Sequence, residues 1–110
     1  MLVDPADSLG EQIQRAFPES RVVKALNTVN CNVIVDPARI AGEHDVFICG
    51  NDANAKADVT RVVESFGWPR ERVVDLGDIS AARGTEAYLA FWIALRRAAE
   101  TSDVNIKVVR

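Results

Sequence analysis

Two cysteines, Cys31 and Cys49, and one histidine, His44, are all that the 110-residue chain offers a soft metal or a disulfide framework. A zinc centre needs about four such ligands, so neither a metal nor a disulfide scaffold is expected. The sequence contains no GxGxxG, no GxxxxGK, no HExxH and no CxxC, and so none of the common short signatures for nucleotide, zinc or thiol chemistry. Long apolar runs are missing too. The longest nearly uncharged stretch, Gly84–Leu95, is interrupted by Glu86 and falls short of the roughly 18 residues that cross a bilayer. Positive charge is not in excess. Thirteen Lys and Arg face 16 Asp and Glu, for a net charge of -3, which argues against nucleic acid as a partner because phosphate binding needs a basic face. Residues Met1–Pro5 carry neither a basic nor an apolar leader region, so no signal peptide is read and a cytoplasmic location is expected.

What is present is ordinary for one globular domain: 48% hydrophobic and 26% charged residues. A chain this short buries about two-thirds of its unfolded surface, so a missing element would leave apolar surface uncovered.

Helix-like and strand-like segments alternate. Ser8-Leu9-Gly10-Glu11 reads as a capping box, followed by Leu9, Ile13, Ala16 and Phe17 at helical spacing until Pro18. Arg21–Asn27 is a nearly continuous apolar strand, as buried parallel strands are. Thr28–His44 reads as irregular. Asp45–Gly50 is the clearest strand, and Asp52 is placed to cap a helix running to about Phe66, whose stripe is Val59, Val62, Val63 and Phe66. Arg72–Leu76 is a third strand. A long helix follows from Asp78 or Ser80 to about Glu100, and Val104–Val108 alternates like a short fourth strand. This order predicts an α/β fold in three layers, with a mostly parallel Rossmann-like sheet and a long C-terminal helix.

In such sheets the carboxyl ends of the strands form the ligand crevice. That singles out Asn27-Thr28-Val29-Asn30, Gly50-Asn51-Asp52 and Gly77-Asp78-Ile79-Ser80. Asn and Thr can hydrogen-bond a carboxamide or ribose there, although turns and helix caps favour the same residue types. For Gly50-Asn51-Asp52, turn and cap chemistry is the simpler reading. Arg83 sits in a first helical turn, against the dipole, so it needs a partner, and Asp78 or Glu86 is the nearest. Cys49 reads as a small core residue and His44 as a surface loop residue. Tyr88, Phe91 and Trp92 are expected in the core or at a subunit interface, and in a homodimer Tyr88, Trp92 and Leu95 at or near that interface. A receiver-like regulatory domain would need an acidic cluster after its first strand, and none is present.

Three segments carry a resemblance over almost the whole chain. They are Val23-Lys24-Ala25-Leu26-Asn27-Thr28, Cys49-Gly50-Asn51-Asp52-Ala53-Asn54-Ala55-Lys56, and Asp75-Leu76-Gly77-Asp78-Ile79-Ser80-Ala81-Ala82-Arg83. In this order they resemble the C-terminal half of the NADP oxidoreductases dependent on coenzyme F-420. They are also similar to the cytosolic reductase domain of six-transmembrane metalloreductases. The resemblance implies NADP and coenzyme F-420 or a flavin as cofactors, with hydride transfer between them. It places Asn27, Thr28 and Val29 near the nicotinamide, and Gly77, Asp78 and Arg83 on the acceptor side, with no protein nucleophile or metal. The glycine-rich half that grips the dinucleotide phosphates in that family has no counterpart here. The expectation is therefore one domain, residues 1–110, that is inactive alone. It would act with a partner supplying the N-terminal half, or persist as a homodimeric interaction module.

Overall fold

Ser8 starts the first helix, α1 (Leu9–Ala16), by accepting the Glu11 amide, and extended backbone at Ser8 turns the chain into it. The computed structural model describes residues 4–110. Met1–Val3, on which part of the leader reading rests, lie outside the described residues. After α1 come strand β1 (Val23–Ala25), a single helical turn α2 (Cys31–Ile34), strand β2 (Val46–Gly50), helix α3 (Ala53–Ser65), strand β3 (Val73–Asp75) and helices α4 (Ala82–Ala87) and α5 (Leu89–Ala99). Asp52 caps α3 as expected, its carboxylate accepting from the Ala55 amide at 2.8 Å. Gly67, at φ +110°, ends that segment in a conformation that suits glycine.

The three strands lie in the order β1-β2-β3. The α/β class and Rossmann-like character hold, but the mostly parallel sheet is corrected to a mixed one. β2 and β3 run parallel, whereas β1 runs antiparallel to β2 with Lys24 opposite Cys49. Ladder phase follows from neighbouring bonds. The Gly50 amide donates to Gly77 O and the Leu76 amide to Ile48 O, so Ile48 and Gly50 direct their backbone groups towards β3. The groups of Cys49 then face β1 and pair with Lys24. Val23 and Ala25 turn theirs to the outer edge.

β2 is buried along its whole length, and alternation divides its side chains between two faces. On one, Val46 packs with Val33, Val63 and Trp68. On the other, Cys49 packs with Ile79 and Ala82. The sheet is thus the middle of three layers, with α3 on one side and the start of α4 on the other. Cys49 is the core residue expected, and burial pushes its thiol up.

The long C-terminal helix is present but jointed. A tight turn, Ile79–Ala81, leads into α4, and Tyr88 separates α4 from α5. The expected fourth strand, Val104–Val108, does not form. The tail is instead clasped to the start of β2. The Asp45 amide donates to Ile106 O at 2.9 Å, and the Val108 amide donates to the Asp45 carboxylate at 2.6 Å. Asp45 is almost wholly buried and pairs with Arg72 at 3.2 Å. His44 is also corrected. It is buried rather than a surface residue, with Nε2 on Pro37 O at 2.9 Å, Asn105 Nδ2 on Nδ1 at 2.7 Å, and Trp68 edge-on. A polar residue in a loop looks exposed until the tail that covers it is placed.

Candidate functional site

The first turn of α1 is held from the far end of the sequence. The Leu9 and Gly10 amides donate to the two oxygens of Glu86 at 2.7 and 3.0 Å, and Lys24 Nζ lies 3.4 Å from the same carboxylate. Burial works against ionised Glu86. The two amides and the ammonium outweigh it, so its carboxyl titrates below the ordinary range. Beside it, Arg83 donates through Nε and Nη2 to Glu11 at 2.9 and 2.7 Å, a two-pronged pairing. The Ser8 hydroxyl donates to Glu11 at 2.8 Å. Arg83 holds the Glu11 carboxyl low, and Glu11 raises Arg83 in return. Asp7 is lowered to about 2 by its hydrogen bond from Arg15. The helix approaches so closely because residue 10 is glycine. A Cβ there would sit 3.1 Å from Ile79 and 3.2 Å from Ala82.

These residues border an open hollow of about 460 Å³ whose lining includes Leu9, Lys24, Asn27, Arg83, Glu86 and Leu89. Asn27 donates through Nδ2 to Thr85 O at 2.8 Å. The two cations, Lys24 and Arg83, are already engaged by carboxylates, and the α1 amides are taken by Glu86. A smaller apolar hollow of about 160 Å³ lies between β2, α4 and the tail, lined by Thr28, Phe47, Leu76, Thr85, Tyr88 and Ile106. Thr28 is 4% exposed and its hydroxyl has no hydrogen-bond partner, nor has the buried Tyr88 hydroxyl. Burial pushes the Tyr88 phenol up.

The structure therefore brings together some of the expected residues and parts others. Asn27 and Arg83 share the larger hollow. Thr28 lines the smaller one, and Val29 packs partly buried against the Val33 core. Gly77, at φ +106°, makes a turn whose carbonyl accepts from Gly50 and from Lys56 Nζ. Asp78 caps that turn through the Ser80 amide and hydroxyl. Asn51 accepts from the Ile79 amide at 3.0 Å, so Gly50-Asn51-Asp52 is turn and cap chemistry. The antiparallel sense of β1 is the cause of the parting. It sends Asn27 to the end of the sheet opposite Gly50 and Gly77, so the three segments do not form one crevice. Arg83 has the partner it needed, but this is Glu11 rather than Asp78 or Glu86. Glu11, Lys24 and Glu86 were missed as site residues. The partners lie about 70 residues apart in sequence, and the misplaced charge of Arg83 was the single local hint.

No family model matches the chain. An F420-dependent NADP reductase of Methanocaldococcus jannaschii is 27% identical over 108 residues, covering 98% of this chain and 47% of its own length. The metalloreductase STEAP3 of Rattus norvegicus is 31% identical over 80 residues, 73% of this chain and 16% of that protein. A crystal structure from Arthrobacter sp. FB24, provisionally assigned as an F420-dependent NADP-reductase, superposes with a TM-score of 0.90 at 53% identity. It covers 98% of this chain and 48% of that one. The resemblance to the F420-dependent NADP reductases and the metalloreductases, first seen in three motifs, thus extends over the chain and its fold. The chain spans about half the length of the two F420-dependent NADP reductases it matches and a smaller share of the metalloreductase. Among the described residues, no helix is long and apolar enough to cross a membrane.

Proposed function

We propose that this chain is the acceptor-side half of an NADP-dependent oxidoreductase, working with a partner that supplies the phosphate-binding half. The observation that carries the reading is the match at 53% identity and TM-score 0.90 to a chain about twice as long. The cofactors themselves would supply the chemistry, a hydride passing between a nicotinamide and a deazaflavin or flavin-type acceptor. A dinucleotide pyrophosphate needs free amides at a helix N-terminus or free cations. Here Glu86 fills the first turn of α1, Asp52 caps α3, and Lys24 and Arg83 are both paired. These groups are not free to hold the phosphate portion of NADP, which the partner half would grip. A neutral, hydrogen-bonding ring is better suited to Asn27 and to the unpartnered Thr28 hydroxyl. Arg83 is proposed to position α1 through its hold on Glu11, and Val29, Gly77 and Asp78, which lie away from the hollow beside Asn27, are proposed as contacts completed only with the partner half.

The test is a calorimetric titration of the chain with NADPH, alone and beside coenzyme F-420, with absorbance followed for hydride transfer. Little or no NADPH binding and no turnover by the chain alone are expected. Micromolar NADPH binding would overturn the half-enzyme reading.

A second reading, an oligomeric interaction module derived from such a reductase, draws on α5. Leu89, Phe91 and Ile93 are exposed there, with Tyr88, Trp92 and Leu95 half-buried beside them. The two readings are compatible, since α5 could join two copies in the cytoplasm while the partner half occupies another face.

A further inference from the structure

Two unfinished features lie side by side at β1. The first is its outer edge. Lys24 spends its backbone groups on Cys49, which leaves the N–H and C=O of Val23 and Ala25 directed outward. Neither residue has a backbone partner beyond that edge among the described residues. Native edge strands are commonly blunted by proline, free charge or a bulge. This one reads Val22-Val23-Lys24-Ala25-Leu26, and its single charge is neutralised by Glu86. The second is α1. Its apolar stripe does not face the sheet that exists. Leu9 is 55% exposed, Ile13 41% and Phe17 61%, whereas Gly10 and Glu11 are the buried positions. A helix with this pattern buries its stripe on something.

Connectivity says what that something is. α1 feeds directly into β1, and a helix that covers a sheet and then delivers an edge strand is the second part of a βαβ unit. The strand that should come before α1 would lie parallel to β1, along the open edge and beneath Leu9, Ile13 and Phe17. Chain outside this module is available in the relatives, where as many residues again accompany it. The surface area points the same way. The chain exposes 6787 Å², several hundred Å² more than the roughly 6000 Å² of a compact protein of 12.0 kDa.

We propose that the outer edge of β1 and the Leu9–Ile13–Phe17 stripe together form the docking surface for the phosphate-binding half. That half adds a parallel, β-branched strand to β1. The proposal rests on the half-enzyme reading and deepens it by naming the seam. The hollow beside Lys24 and Asn27 then becomes one wall of a site that the partner closes.

The test coexpresses this chain with the part of the Arthrobacter relative that it does not match, as a separate chain, and reads backbone amide exchange. If that part is insoluble alone, it is joined upstream of α1 and the same amides are read. In the isolated chain, the Val23 and Ala25 amides should exchange fast and the Lys24 amide slowly. In the complex, Val23 and Ala25 should slow at least tenfold while β2 and β3 stay unchanged. Val23→Pro removes an outward N–H and no ladder bond, so it should weaken the complex at least tenfold and leave the Lys24 amide protected. A complex that transfers hydride while Val23 and Ala25 still exchange fast would overturn the docking surface and leave the half-enzyme reading standing. No complex in either format would overturn both. Protection of these two amides in the isolated chain, rising with its concentration, would make the occupant a second copy and also overturn the proposal.

Discussion

Glu86 holds donors from two distant parts of the chain, the amides that open α1 and the ammonium of Lys24 on β1. Replacing it with alanine removes the acceptor of two helix N-terminal amides, and losing such a cap costs about 0.5–2 kcal/mol. Urea unfolding of Glu86→Ala should show a loss of that order, with an unchanged m-value. Glu11, Asp7 and Glu86 all titrate below their ordinary values. Each therefore contributes stability that is fully present above the unfolded carboxylate range and is lost as pH falls through the folded value. The urea midpoint should hold from neutral pH to about 5 and decline below it. Asp7→Asn should flatten the lowest part of that decline, towards pH about 2. Gly50→Ala puts a Cβ 2.7 Å from Val22 O, a backbone atom that cannot swing aside, and should cost about 1–3 kcal/mol by the same assay. At this scale the sequence was informative wherever a side chain bonds within three residues. Ser8 and Asp52 were legible as caps for that reason. Arg83 was legible as a charge in need of a partner, but Glu11 lies 72 residues away and no local pattern points to it.

Elements were legible in kind and place, less so in direction. The alternation of β-branched runs with stripes at helical spacing found β1, β2, β3, α1 and α3, because each rule concerns residues that are close in sequence. Whether β1 runs with or against β2 depends on what its edges pair with, and that is a property of the sheet. The intervening segment, with α2 and a tight turn at Pro37–Arg39, accommodates the reversal without any sequence mark. The tail misled for a related reason. Its alternation is genuine, but its apolar and polar residues serve a clasp around Asp45 rather than a ladder. Asp45→Ala would remove the acceptor of the Val108 amide and the nearer of the two carboxylates beside Arg72, the other being Glu43 at 3.8 Å. Breaking a buried pair costs on the order of 3 kcal/mol. The Val108 amide should then exchange freely while the Leu76 amide, bonded to Ile48 O, stays protected.

At the level of the whole molecule, two groups of exposed apolar side chains among the described residues share one helix each, the α1 stripe beside the β1 edge and the exposed side of α5. They call for different partners and can be separated by substitution. Phe91 is 56% exposed on α5, so Phe91→Glu should leave stability within about 0.5 kcal/mol, as exposed substitutions do. It should abolish any concentration-dependent rise in mass seen by light scattering of the isolated chain. A rise that survives the substitution would remove α5 from the self-association surface. The candidate site was only half legible at this scale. Asn27 and Arg83 do line one hollow, but Gly77 and Asp78 lie elsewhere because the crevice rule assumes strands that all point one way.

The clasp at Asp45 also bears on synthesis. The central strand opens on Asp45, whose backbone amide donates to Ile106 O and whose carboxylate accepts the Val108 amide. While those residues are still inside the ribosome, Asp45 lacks two of its partners and the middle of the sheet has no settled beginning. The module should therefore reach its native state only once those residues have left the ribosome, with the nascent chain sensitive to protease until then.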